Sequence, residues 1–304
     1  MKLRFLCKAF GLLAPWLAVP GAAAALRVAT LHPLLSDLAQ QVGGPQVAVL
    51  ALVAPGVDVH HFSPSPQHME QLAGADLVLA SGKQLENYLG KLRDNLRPGQ
   101  TLLEVGKSIP SLELSEAAAL LESPGLEHRH GGVDPHWWNS AENMQRAARV
   151  LATAFAQADA PQAAAYQANA AAYAKRLSEL KQWARREFSK IPPEQRKLAT
   201  AHLSLGYFAQ EFGFRLIPVQ GLNPEIPATS QDLAAAVDTI RRSKVRAVFP
   251  EQGVNPKLLA KIASETGVTF AGQLIADGNG TGPLASFAGA FEHNVKEIVR
   301  ALAP

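Results

Sequence analysis

Thirty residues between Pro161 and Lys190 constrain the fold more than any other stretch. Within them Tyr166, Ala170, Tyr173, Leu177, Leu180 and Ala184 recur at alternating steps of four and three, which lines one face of an α-helix with apolar side chains. Pro192-Pro193 ends the pattern. At ~1.5 Å per residue such a helix is a rod of roughly 45 Å, long enough to run from one domain into another. On both sides of it short apolar runs alternate with helical patterns. Before it, residues 26–31, 47–53, 76–80 and 101–105 read as strands; after it, 197–201, 215–219, 245–249 and 268–272 do. Strands alternating with helices form parallel βαβ units. The pattern therefore predicts an α/β chain of two doubly wound lobes with parallel sheets, joined by one long rigid α-helix. The expected boundaries are 26–160 for the N-terminal lobe, 161–190 for the linker helix and 191–304 for the C-terminal lobe.

Residues 1–25 stand apart from this scheme. Lys2, Arg4 and Lys8 precede an apolar run from Ala9 to Val19, then Pro20, Gly21 and four alanines. That is the build of a cleaved secretory signal peptide, and the run is too short to span a membrane. Its three cations and no acid leave 26 basic and 26 acidic residues of the chain's 29 and 26. A neutral mature chain gives no basic surface for nucleic acid or an anionic membrane. The one cysteine, Cys7, lies before the apolar run rather than after it, so the expectation is a soluble periplasmic protein without a lipid anchor. A mature chain without cysteine also excludes a thiolate metal site.

Four segments carry chemistry. Asp58-Val59-His60-His61-Phe62-Ser63-Pro64-Ser65-Pro66 is a loop stiffened by prolines, and in an extended stretch His60 and His61 point opposite ways. Asp134-Pro135-His136-Trp137-Trp138 sets a histidine beside two tryptophans that would form a dry wall. His202 stands at the carboxyl end of a strand and before a helix, where open α/β sheets place ligand groups. Asp277 lies in Ala276-Asp277-Gly278-Asn279-Gly280-Thr281-Gly282, which starts like a calcium loop but has Ala288 where that loop needs a glutamate. Each taken alone also fits an ordinary role: solvated loop histidine, aromatic-packed turn, structural histidine, turn aspartate. Taken together, three imidazoles and one carboxylate make a closed four-ligand set that suits zinc. Glu251, after a strand, fits two roles equally: orienting a ligand imidazole, or standing as a carboxylate at a helix start. Glu127-His128-Arg129-His130 is a small histidine cluster that reads first as a solvated loop and second as a site for loose capture of metal. His32, His68 and His293 have no context that separates them from structural histidines.

Read in order, these segments resemble the metal-binding solute-binding proteins of ABC importers for zinc and manganese (the cluster A-I family). The family's D-P-H-x-Y/F-x-P-T/S-P loop is similar to Asp58 to Pro66, with Val59 in place of proline; its N-G-x-x-L-E segment to Ser81 to Glu86; its D-P-H-x-W motif to Asp134 to Trp138. Its H-x-A-F-G-Y-F-A motif resembles His202 to Ala209, with Ser204 and Leu205 departing, and its strand-then-glutamate element and late aspartate match Glu251 and Asp277. Two further departures are the short histidine cluster, His128 and His130, and Asn139-Ser140-Ala141 where a proline and an acid commonly stand. The resemblance implies metal ligands at His60, His136, His202 and Asp277, two from each lobe, and a chain that is not an enzyme. It implies a zinc-type member that carries Zn2+ to an inner-membrane ABC permease, acts as a monomer, and has a zinc metallochaperone as a candidate partner. An exported zinc hydrolase with a three-histidine site and a manganese-specific binding protein are the alternatives; a metal held by four protein ligands speaks against the first.

Overall fold

The computed structural model describes residues 25–113, 132–222 and 229–304. The segment read as a signal peptide, but for Ala25, and the Glu127–His130 cluster lie outside the described residues. The chain begins with β1 (Leu26–Thr30), α1 (Pro33–Gly43), β2 (Val47–Ala51), α2 (Pro66–Leu72), β3 (Leu77–Ala80), α3 (Leu89–Asp94) and β4 (Thr101–Glu104). These strands form a parallel sheet in the order β2-β1-β3-β4. Helices α4 (Ala141–Ala158) and α5 (Ala163–Phe188) follow. The second half holds β5 (Lys197–Thr200), α6 (Gly206–Phe212), β6 (Arg215–Pro218), α7 (Ser230–Arg242), β7 (Ala247–Phe249), α8 (Lys257–Thr266), β8 (Thr269–Phe270) and α9 (Phe287–Leu302). Its sheet, β6-β5-β7-β8, is parallel and has the same order as the first. Two doubly wound lobes and one long helix are thus present as the alternation of elements predicts.

Helix α5 buries Tyr166, Ala170, Tyr173, Leu177, Leu180 and Ala184, the six positions of the apolar stripe, and adds Phe188. Its 26 residues make a rod of about 39 Å. It packs along α4, against α1 of the first lobe and against α9 of the second. The hydrophobic core does not divide at the lobe boundary. One cluster runs from Val28, Leu35 and Leu38 through Phe155, Tyr166 and Leu177 to Phe188, Phe208 and Phe291. Smaller clusters cover the outer face of each sheet, around Leu31 and Val78 in one lobe and Ile217 and Ile262 in the other. A shared core at close packing resists a wide hinge motion.

Polar contacts fasten the same boundary. The Asp37 carboxylate on α1 accepts the backbone N–H of Phe287 at the start of α9, at 2.9 Å. Glu211 on α6 accepts the N–H groups of Ala141 (3.0 Å) and Glu142 (3.3 Å) at the start of α4, where the helix dipole favours an anion. Lys181 on α5 then pairs with Glu211 at 2.7 Å and with Glu142 at 2.9 Å. Helix α3 is confined to Leu89–Asp94. Gly82, Lys83 and Gln84 all adopt positive φ just before it, while the buried Glu86 carboxylate accepts the N–H groups of Ser81 and Gly82. That loop, rather than a first helical turn, satisfies the local donors.

Candidate metal centre

The carboxyl ends of both sheets face each other, and the four singled-out side chains meet there. His60 comes from the loop after β2, His136 from the turn before α4, His202 from the turn after β5, and Asp277 from the loop after β8. One donor atom of each lies within 4.8 Å of every other. His60 Nε2 and His136 Nε2 are 3.3 Å apart. Asp277 Oδ1 is 3.8 Å from His60 Nε2 and 3.7 Å from His136 Nε2, and Asp277 Oδ2 is 3.6 Å from His202 Nε2. The side chains are 6%, 0%, 0% and 4% exposed in sequence order, so the cluster is shut off from bulk water. His61 turns the other way, 57% exposed, with its ring 2.7 Å from Asp58.

Carboxylates behind the rings orient them. Asp134 Oδ1 accepts the backbone N–H of His136 (2.9 Å) and lies 2.8 Å from its Nδ1, which turns Nε2 into the cluster. Glu251 does the same for His202: Oε1 accepts the His202 N–H at 3.0 Å and Oε2 stands 3.0 Å from Nδ1. Ser204, one of the departures from the family pattern, donates its hydroxyl to Glu251 Oε2 at 2.8 Å. Asp58 accepts the His60 N–H at 2.8 Å and fixes the loop. A carboxylate on the far ring nitrogen sets the tautomer and makes the near nitrogen a better ligand.

The dry wall expected of Trp137 and Trp138 is present, both rings being 1% exposed. Trp138 Nε1 donates to Ala276 O across the lobe boundary at 2.7 Å, and Trp137 Nε1 donates to Ser81 Oγ at 3.0 Å. Asn139, a second departure, donates to Ser204 O at 3.0 Å, and Ser140 caps α4 by accepting the Asn143 N–H. Tyr207 donates to Asp134 O at 3.0 Å. Gly206, at the start of α6, has no room for a side chain, because a Cβ would overlap Asp134 Oδ2.

Charge is distributed unevenly. Burial disfavours a charged His202 ring, but Glu251 and Asp277 outweigh it and hold its pKa well above the usual imidazole value. Burial likewise opposes the Asp277 carboxylate, yet His202 and His60 hold its pKa well below the ordinary range. Burial lowers the pKa of His136, with Asp134 opposing. His202 and Asp277 thus favour each other's charged form, beside imidazoles of the other lobe.

Of the remaining histidines, His68 completes a capping box with Ser65, and His293 Nε2 lies 2.8 Å from Gln273 O. His32 is different. It caps α1 through Nδ1 but is also fully buried against Trp138, with burial pushing its pKa down to about 3. Sequence reasoning classed it with ordinary histidines; the only signal was its place at the end of β1.

Two lobes closing on a dry set of three imidazoles and a carboxylate are the build of a binding protein for a metal ion. Comparison with known proteins agrees. The family model described as the periplasmic component A of a zinc-uptake complex matches residues 28–301. A manganese-binding lipoprotein, MntA of Bacillus subtilis, is 32% identical over 285 residues, 91% of this chain and 90% of the relative. The zinc-binding protein TroA of Treponema pallidum is 26% identical over 283 residues, covering 91% and 88%. The solved TroA structure superposes with a TM-score of 0.81, covering 93% of this chain and 100% of that one. The chain belongs to the family of metal-binding solute-binding proteins of ABC importers, which are transport proteins that work with a membrane permease outside the cytoplasm. Among the described residues no helix is long and apolar enough to cross a membrane.

Proposed function

We propose that this chain is the zinc-carrying member of a high-affinity importer: it captures Zn2+ between its lobes in the periplasm and hands it to the inner-membrane permease. His60, His136, His202 and Asp277 are the ligands, two from each lobe. The reading rests chiefly on donor spacing. Two nitrogens on one tetrahedral zinc at about 2.0–2.1 Å stand roughly 3.3–3.4 Å apart. The His60–His136 separation is 3.3 Å, and the nitrogen–oxygen separations of 3.6–3.8 Å need to shrink by only a few tenths.

Manganese prefers more ligands, mostly oxygen, whereas His202 supplies a third nitrogen. Four protein donors also leave no position for an activated water, which disfavours the hydrolase reading. Relatives named for manganese and zinc both exist, so the ion must be measured on this chain. Protein purified without added metal, then titrated against a competing chelator, should bind one zinc per chain, and His202→Ala should abolish tight binding. Cells lacking the protein should stop growing under zinc chelation and recover with zinc. Recovery with manganese alone would overturn the zinc assignment.

A further inference from the structure

His32 lies at the seam between the lobes without belonging to the four converging side chains. Its Nδ1 accepts the Leu34 N–H at 3.1 Å, so in the neutral ring the proton sits on Nε2. Its Nε2 is shielded from solvent and finds no hydrogen-bond partner among the described residues. Asp277 Oδ1 shares that condition. The His32 ring stacks at 4.2 Å from Trp138, whose own ring is 5.3 Å from His136 and whose Nε1 holds Ala276 O next to Asp277. On the other side it abuts the Asp277–Gly278 turn: a Cβ on Gly278 would lie 2.9 Å from His32 Cε1 and 2.8 Å from Leu34 Cγ. Gly278 has φ +67°, so the turn both needs a glycine and lets the ring approach.

We propose that His32 is a specificity-determining residue for the carried ion: its imidazole wedges the Asp277 turn and offers its Nε2–H to the Asp277 carboxylate once the ion is bound, so that Asp277 ligates through one oxygen. A donor on one carboxylate oxygen occupies a lone pair and draws that oxygen away from the ion, which favours ligation through the other oxygen alone. That keeps the centre four-coordinate, which suits zinc, and denies manganese the extra oxygen it favours. The inference rests on the zinc reading above and deepens it. His32 is a positioning residue, acting through Asp277 and not as a ligand itself.

The test compares three variants. His32→Asn keeps a cap acceptor for Leu34 but loses the donor at the Nε2 position. His32→Ser does the same with a smaller side chain and replaces the first if that fails to fold. His32→Gln places an amide N–H near the lost one. Zinc and manganese affinities are measured by competition, and the Co2+-loaded proteins are examined by visible absorption, where four-coordinate cobalt absorbs far more strongly than five- or six-coordinate cobalt. The Asn and Ser variants should lose at least tenfold in the zinc-to-manganese affinity ratio and show weakened cobalt bands, while Gln retains both. An unchanged ratio and unchanged cobalt bands in Asn or Ser overturn the role of His32, as does a Gln variant that behaves like Asn. A wild-type chain that itself prefers manganese and gives weak cobalt bands defeats the zinc reading, and this inference with it.

Discussion

The two lobes contribute two side chains each to the centre, but on different terms. The C-terminal pair, His202 and Asp277, forms its own buried ion pair, braced by Glu251 and Ser204. Yet His202 Nε2 and Asp277 Oδ1 are buried there without a hydrogen-bond partner among the described residues. The N-terminal pair is held differently. His136 is locked by Asp134 and walled by Trp138, whereas His60 rides on a loop in which Val57 is exposed to solvent. One lobe thus provides a charged floor and the other a fixed imidazole plus one at the mouth. An ion that reaches His202 competes with a proton there, because Glu251 and Asp277 favour the charged ring. The comparison separates residues expected to hold the fold together from residues expected only to hold the ion.

The largest effect should come from breaking the C-terminal pair. Asp277→Ala leaves a buried imidazole without its partner and should cost about 3–5 kcal/mol of metal-free stability as well as tight zinc binding. His60→Ala should lose tight binding while the metal-free melting temperature stays within a few degrees of wild type. Chelator competition and thermal melting of both variants measure this; equal destabilisation by the two would erase the distinction between lobes. Gly206→Ala forces a methyl group against Asp134 and should destabilise by about 1–3 kcal/mol, with weaker zinc binding because His136 is displaced.

Removing orienting carboxylates should act more mildly. Glu251→Gln and Asp134→Asn should each weaken zinc binding about 10–100-fold without changing the stoichiometry. Glu251→Gln should in addition lower metal-free stability, since His202 depends on it for its charge. Calorimetric titration of the two variants side by side would show whether the lobes differ in this way.

The pH dependence should carry the same asymmetry. The Asp277 pKa lies below its ordinary 3.8, so its contribution is present above that value and lost as pH falls through the depressed one. The His202 pKa lies above its ordinary 6.5, so its contribution is complete below 6.5 and lost as pH rises through the raised one. Metal-free protein should therefore melt highest between these ordinary values. Zinc must displace a proton from His202, so the increase in melting temperature on adding zinc should grow with pH. A zinc increment independent of pH would contradict a protonated His202. The smallest effect is expected at His61: replacing this exposed side chain by alanine should leave zinc affinity unchanged, as competition titration would record.

Much of the architecture is legible in the chain because it depends on local periodicity. Tyr166 to Ala184 can form one apolar stripe only as a helix, and the runs around Val28, Val78, Leu198 and Val248 can be buried on both faces only in covered parallel sheets. The four converging residues were legible too, since loop prolines and strand ends mark where side chains are held for a ligand. The segment before α3 is not legible in this way, because its local donors are satisfied by Glu86 through a loop of three positive-φ residues, which no periodicity announces.

Sequence alone determined the class of the fold, the order of its elements and the donor types at the centre, because these follow from hydrophobic period and side-chain chemistry. Only the tertiary structure decided how the donors are tuned. Glu211 capping α4 from the other lobe, Trp138 holding Ala276, Gly206 yielding space to Asp134 and His32 lying against Gly278 join residues far apart in the chain. Such pairings leave no periodic trace; they arise when two lobes share one packed core and their polar groups, cut off from water, must find partners across the seam.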